Sequence, residues 1–274
     1  MPILSCLRRV KLAIYFILTT PSHHQSIRTF RFGIPLLIKT EYRQFTTEAD
    51  ALRFLNASGL DLPIPRLVDS IAIDGNTYTV MTRLPGRLLR DEVDQLSDPE
   101  VQAIVDDIQA ILHRLWTLEQ CPEDAGKVML SASGHGLPNP MTFFESYWGP
   151  CPSILDCYFD LGRHLRDPDI DDWTPDIYVA GQPDLVNAVT ADRVVWVHSD
   201  LRPQNILVHH GRLSGIIDWE NSGWLPLHWQ VHALRGARVG YTNRVRSIWL
   251  NVVFPPETEA GFKASMKLLR YLPV

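Results

Sequence analysis

The stretch VVWVHSDLRPQNILVHHGRLSGIIDWENSGWLP, residues 194–226, decides how the rest of the chain is read. An apolar run, Val194 to Val197, delivers His198-Ser199-Asp200 to a loop. Asn205 follows five positions after Asp200; then come a short strand, a turn at His209-His210-Gly211-Arg212 and a second strand ending at Asp218. A hairpin with so short a turn brings its outer ends together. Asn205 and Asp218 are therefore predicted neighbours, with Asp200 on the adjoining loop. Two carboxylates and an amide oxygen suit a hard cation such as Mg2+, which takes oxygen ligands and shares them with phosphates. His198, Ser199 and Asp200 are consecutive, which does not make a hydrolase triad, since that must be assembled in space. His198 reads as a structural histidine, His209-His210 as a solvated turn, and Trp219, Trp224 and Trp229 as packing residues.

Upstream, FGIPLLI (32–38) is a short apolar run ending at Lys39 and reads as a buried strand. Thr47 and Asp50 form a helix start for EADALRFLNAS, which Gly59 can stop. LVDSIAI (67–73), Asp74-Gly75-Asn76 and TYTVMTRL (77–84) spell a hairpin, because Asp-Gly between β-branched runs favours a tight turn. Pro85-Gly86 breaks the pattern and marks a unit boundary. Ser97 and Glu100 then form a capping box for a long helix, from about Asp98 to Leu118, with one continuous apolar face. Residues 121–195, rich in Pro, Gly and aromatics, show no clear periodicity. Within them, residues 156–186 hold eight Asp against Arg163 and Arg166, an acidic segment that suits either a cationic acceptor or a solvated loop.

The composition fits this picture. In 274 residues, 45% are hydrophobic and 21% charged, which excludes a disordered or low-complexity chain and is enough for a full core. The net charge of −5 provides no basic field, so no nucleic-acid partner is expected. Four cysteines without a C-x-x-C spacing read as free thiols of a reducing compartment, which implies a cytoplasmic location. Arg8, Arg9 and Lys11 precede an apolar run at Leu12–Leu18 that is far short of the roughly 20 residues a bilayer span needs. It also lacks an A-x-A cleavage pattern. An amphipathic helix or strand packing on the body is expected instead, without stable membrane insertion.

HSDLRPQN followed by DWE is similar to the kinase catalytic loop H-R-D-x-x-x-x-N followed by D-F-G. More narrowly, HSDLRPQNILV…GIIDWENSGW resembles the aminoglycoside phosphotransferase family, especially its fungal members of unassigned substrate. IPLLIKTEYRQFTTEADALRFL, DLPIPRLVDS and TYTVMTRLPG extend the resemblance over roughly residues 30–235. It implies an α+β, bilobal protein-kinase-like fold, with residues 1–30 as an extension, 31–85 as a small β-rich lobe and 86–274 as a larger, mainly helical lobe. It implies transfer of phosphate from ATP, with Mg2+, to a hydroxyl of a small molecule: an aminoglycoside, a choline-like amine or another metabolite.

Residue by residue, the resemblance gives Asp200 the substrate hydroxyl, and Asn205 and Asp218 the metal. It places Lys39 on the α- and β-phosphates, paired with Glu48; Glu41 is the competing partner. Met81 would stand behind the adenine, the Thr82 and Leu84 backbones would meet its edge, and Arg202 would sit near the γ-phosphate. Glu220, in the DWE string, is a candidate additional ligand. The chain departs from the pattern in having no G-x-G-x-x-G, with Gly33 the only glycine before Gly59. That motivates an alternative from another class: a silent pseudokinase that binds a nucleotide or a protein partner. Protein-kinase activity is disfavoured by the DWE string and by the lack of an A-P-E segment, and Ser199 at the arginine position argues against control by a phosphorylated activation segment.

Overall fold

The computed structural model describes residues 2–43, 45–138, 147–162, 174–235 and 242–269. Arg163, Arg166, Asp167, Asp169, Asp171 and Asp172 of the acidic segment lie outside them. The chain opens with helix α1 (Pro2–Leu18) and a sheet built from β1 (Thr19–Pro21), β2 (Ile27–Phe30), β3 (Leu36–Glu41), β4 (Leu67–Ile73) and β5 (Asn76–Thr82), interrupted by α2 (Glu48–Ala57). The five strands run in the order β1-β2-β3-β5-β4 and all pairs are antiparallel. Residues 19–30 thus supply two strands of this sheet.

Local chemistry sets these elements. Asp74, with φ 51°, and Gly75, with φ 80°, make the two-residue turn between β4 and β5. Such left-handed values match the twist of the flanking strands. The expected strand at 32–38 is corrected: β3 starts only at Leu36, because Phe32 (φ 59°) and Gly33 (φ 70°) form the β2–β3 turn. Ile38 alone of that run is fully buried among the strand residues before Lys39.

The rest of the chain is mainly helical: β6 (Arg87–Leu88), α3 (Leu89–Glu92), α4 (Asp98–Leu115), β7 (Leu130–Ser131), β8 (Leu137–Pro138), β9 (Tyr147–Trp148), α5 (Ile154–Gly162), α6 (Pro175–Gly181), α7 (Pro183–Thr190), β10 (Val194–His198), β11 (Ile206–His209), β12 (Arg212–Ile216), β13 (Ser222–Pro226), α8 (His228–Arg235), α9 (Asn243–Asn251) and α10 (Pro256–Leu269). The Ser97 N–H donates to Glu100 at 2.7 Å and starts α4. Ile104, Ile108, Leu112 and Leu115 give it a buried face, and it ends at Leu115, three residues before the expected Leu118, with Trp116 as its cap. Burial of such a face is the main stabiliser of a helix of this length.

The β11–β12 hairpin is clamped onto α4, where Arg212 Nε donates to Asp107 at 2.8 Å. Buried Asp192 accepts from the His228 N–H (2.6 Å), from His228 Nδ1 (2.9 Å) and from Thr258 (3.0 Å), tying α8 and α10 to the start of β10. Among the described residues no helix is long and apolar enough to cross a membrane.

Candidate active site

The site is assembled by three pieces of backbone. The first is the loop after β10. Val195, Trp196 and Val197 are buried, so the strand is fixed in the core and its end is fixed with it. His198 is fully buried; its Nε2 pairs with the Ile217 carbonyl at 3.1 Å, and its Nδ1 accepts the Asp200 N–H at 3.3 Å. Burial holds the imidazole below its ordinary pKa, against the pull of the Ile217 carbonyl, Asp200 and Asp218. His198 is therefore a neutral strut between Asp200 and the strand leading to Asp218, as its sequence position suggested.

The second piece is the β11–β12 hairpin. Pro203 opens the short turn that ends at Asn205, and the Ile217 N–H donates to the Asn205 carbonyl at 2.9 Å. Register therefore places Asn205 beside Asp218, as predicted. Asn205 Nδ2 donates to the Asp200 carbonyl (2.7 Å) and to its carboxylate (3.0 Å). Both neighbours are acceptors, so the amide nitrogen is the side-chain atom turned to Asp200. Asp218 itself sits at φ 68°, ψ 58°, in the left-handed region, which turns the chain out of β12.

The third piece is the junction of β3 and α2. Thr47 caps α2, accepting the Asp50 N–H at 3.2 Å, and places Glu48 in its first turn. Lys39 Nζ then lies 2.9 Å from Glu48, 2.5 Å from Asp218 and 2.8 Å from Glu220. The partner of Lys39 is Glu48, not Glu41. Glu41 is occupied by the Glu48 N–H (2.9 Å) and the Thr79 hydroxyl (3.2 Å).

Electrostatics follow from this crowding. Burial opposes the charge on Lys39, but Glu48, Asp218, Glu220 and Glu41 outweigh it and hold the ammonium protonated well above the usual range. Burial would raise Asp218, yet Lys39, with Arg43, keeps it below the ordinary carboxylate value. Burial raises Asp200 despite the opposing charge of Arg202, whose Nε lies 2.6 Å from it. Arg202 thus engages the Asp200 carboxylate directly in this structure.

Oxygens of Glu48, Asp218 and Glu220 lie within 4.8 Å of one another. Glu48 is buried, and its second carboxylate oxygen has no hydrogen-bond partner. This hard, anionic oxygen set fits a divalent cation of the Mg2+ type. Sequence reasoning missed Arg43, which binds Glu220 at 2.8 Å from the loop after β3. No local pattern announces a contact between residues so far apart.

The nucleotide-side candidates are also located. Met81 is buried on β5, opposite Leu37. Thr82 exchanges hydrogen bonds with Arg66: its N–H donates to the Arg66 carbonyl at 3.0 Å and its hydroxyl accepts the Arg66 N–H at 2.8 Å. Leu84 packs on Gly215, where a Cβ would fall 2.4 Å from a Leu84 methyl. The β1–β2 connection, residues 22–26, contains no glycine. It adjoins the Lys39 end of β3, since Ile27 pairs with Lys39 and the Thr40 N–H donates to the Ser26 carbonyl at 2.8 Å.

The fold and this constellation are those of a kinase-like phosphotransferase. The profile of the phosphotransferase enzyme family matches residues 36–231, and the chain belongs to that family. No curated protein sequence matches it. Among solved structures it is similar to a thermostable mutant of aminoglycoside phosphotransferase APH(4)-Ia in ternary complex with ADP and hygromycin B. That match has 16% identity over 94% of this chain and 86% of that chain, with a TM-score of 0.57. ADP-bound APH(2'')-Ib is similar at 14% identity over 96% and 87%, TM-score 0.56. The gentamicin complex of APH(2")-IIa is similar at 16% identity over 91% and 81%, TM-score 0.55. At these identities the likeness establishes the shared kinase-like fold.

Proposed function

We propose that this chain transfers the terminal phosphoryl group of ATP to a hydroxyl of a small molecule, using Mg2+. The observation that supports the reading best is the convergence of Asp200, Asn205 and Asp218 with Lys39 and Glu48 at one site. Structural neighbours crystallised with ADP and with aminoglycosides point the same way. In this reading residues 31–85 and 86–274 are the two lobes of the cleft, residues 1–30 extend the first, and the reaction is cytoplasmic.

When bound, Mg2+ neutralises phosphate oxygens and lowers the barrier electrostatically. The chain does the rest by positioning. Asn205 and Asp218 offer the ligand oxygens, with Glu220 as an added carboxylate. Lys39, kept charged by its carboxylates, exchanges Asp218 for the α- and β-phosphates while Glu48 retains it. Met81, Thr82 and Leu84 line the adenine side, and Arg202 faces the γ-phosphate. Asp200 orients the acceptor hydroxyl and takes its proton as the oxygen–phosphorus bond forms and the bond to the leaving diphosphate breaks. Burial raises Asp200, which suits a proton acceptor at neutral pH.

A second reading, a silent nucleotide-binding protein, rests on the glycine-free 22–26 connection. A nucleotide-consumption screen over amine-containing and neutral polyol acceptors, with Asp218→Ala as the blank, tests the first reading. A thermal-shift titration separates the two. Mg2+-dependent stabilisation by ATP without turnover on any acceptor supports the silent protein, because any ligand of the native state raises its apparent stability. No stabilisation at all overturns both nucleotide readings.

A further inference from the structure

Helix α1 is amphipathic in an inverted sense. Its polar and cationic side chains point to the body of the protein: Arg9 binds Asp74 at 2.8 Å, Lys11 binds Asp69 at 2.6 Å, and Tyr15 donates to Asp69 at 2.8 Å. Arg28 of β2 secures the far end, donating to the Thr19 hydroxyl at 2.9 Å with its guanidinium over the Phe16 ring. The outward side carries Leu4, Leu7, Val10, Ile14 and Ile17, each between 51% and 71% exposed. Their spacing of three and four residues makes one continuous apolar stripe. Arg9 and Lys11 border it and remain more than half exposed despite their ion pairs. At the C-terminal end of the helix the Arg31 N–H donates to the Leu18 carbonyl, and the next residue, Phe32, is 91% exposed.

A contiguous exposed apolar stripe on a rigidly docked helix marks an interaction surface. Charge says what kind. Residues 1–36 hold five Lys and Arg and not one Asp or Glu, in a chain whose net charge is −5. Asp74 and Asp69 neutralise Arg9 and Lys11, but among the described residues Arg8, Arg28 and Arg31 have no ion pair, so pairing two copies through α1 would bring two net cationic surfaces together, which is unfavourable. An anionic lipid surface answers both features: it takes the apolar stripe at the acyl boundary and the flanking cations at the headgroups. We infer that α1 and the Phe32 turn dock this enzyme in the plane of an anionic lipid bilayer, lying on it without crossing it. The inference does not depend on the phosphotransfer reading.

Vesicle co-sedimentation of the full chain tests it. Binding to phosphatidylcholine vesicles carrying about one-third phosphatidylserine is expected to exceed binding to phosphatidylcholine alone at least about tenfold, and to weaken in about 0.5 M salt. The double substitution Leu7→Asp, Ile14→Asp is expected to abolish sedimentation, and Phe32→Ser to reduce it severalfold, with thermal unfolding unchanged because these side chains make no core. Phe32→Ser, remote from helix packing, decides the matter should the double variant unfold. Wild-type protein left in the supernatant, equal binding to both vesicle types, or unaltered binding by both variants overturns the inference. A wild-type dimer in light scattering that Ile14→Asp dissolves overturns it too, by assigning the face to a second copy.

Discussion

Lys39 Nζ and Asp218 Oδ1 lie 2.5 Å apart although 179 positions separate them in the chain. The same ammonium holds Glu48 and Glu220, so one cation from β3 gathers three carboxylates from α2 and from the end of the β11–β12 hairpin. The arrangement is a charge hub, and its behaviour when disturbed is predictable.

Removing the hub cation leaves Glu48 and Asp218 without a directly bonded cation among the described residues. Lys39→Met is expected to cost about 3–5 kcal/mol of stability, because uncompensated buried charge is expensive. Denaturant unfolding measures it. Millimolar Mg2+ should return part of the loss, and adding Glu48→Gln should return more. An unchanged midpoint without Mg2+ would mean that the carboxylates share protons instead.

Asp200→Asn keeps the Asn205 clamp sterically but removes the proton acceptor. Turnover is expected to fall by about 10²–10⁴-fold, with nucleotide affinity changed by less than about threefold. Steady-state kinetics beside an ATP-binding titration separates these effects.

Arg202 tunes the same carboxylate. Its charge pulls the raised Asp200 value back down, so Arg202→Gln is expected to move the acid limb of the rate profile to higher pH. Activity should then be lost sooner as the medium is acidified. A kcat–pH series on both proteins checks the direction; a shift toward lower pH contradicts it.

Glu41 gives stability a pH slope of opposite sense. Burial pushes its carboxyl up to about 8, against an ordinary value of 4.5. Between those values the folded chain keeps a proton that the unfolded chain has released. Stability therefore falls as pH rises from about 4.5 toward 8 and levels off above. Glu41→Gln can still accept the Glu48 N–H and has nothing to titrate. The difference between wild type and variant across this range, on the order of a few kcal/mol, isolates the group.

Gly86 joins the five-stranded sheet to the hairpin at φ +114°, and a Cβ there would meet Ser214 Oγ at 2.5 Å and the Val208 carbonyl oxygen at 2.6 Å. Gly86→Ala combines a backbone that L-residues avoid with a clash on both sides. A loss of at least about 2 kcal/mol is expected, read as a lowered unfolding temperature.

How much of this was legible in the sequence depends on how local each cause is. The juxtaposition of Asn205 and Asp218 was readable because a hairpin register fixes it, and Thr47 with Asp50 because a cap needs only its own four residues. Trp219 and Trp229 are buried as their setting suggested. The pairing of Lys39 with Glu48 over Glu41 was expected from the family resemblance and not from local spacing, since it turns on which carboxylate the α2 N–H captures. Strands β7 to β9, two residues each, are too short for an alternation to show. Arg43 reaching Glu220 is a matter of tertiary packing alone. The same holds for α1: the sequence displays an amphipathic segment, but only the assembled sheet decides that its charges turn inward.

The left-handed backbone at Asp218 also limits how this scaffold can drift. Of the residues one base change away from an aspartate codon, asparagine and glycine tolerate that geometry, while valine, alanine and tyrosine strain it. Descendants that lose the carboxylate and still fold should therefore be enriched in Asn or Gly at this position, a genetic scar by which retired copies of the enzyme can be told from broken ones.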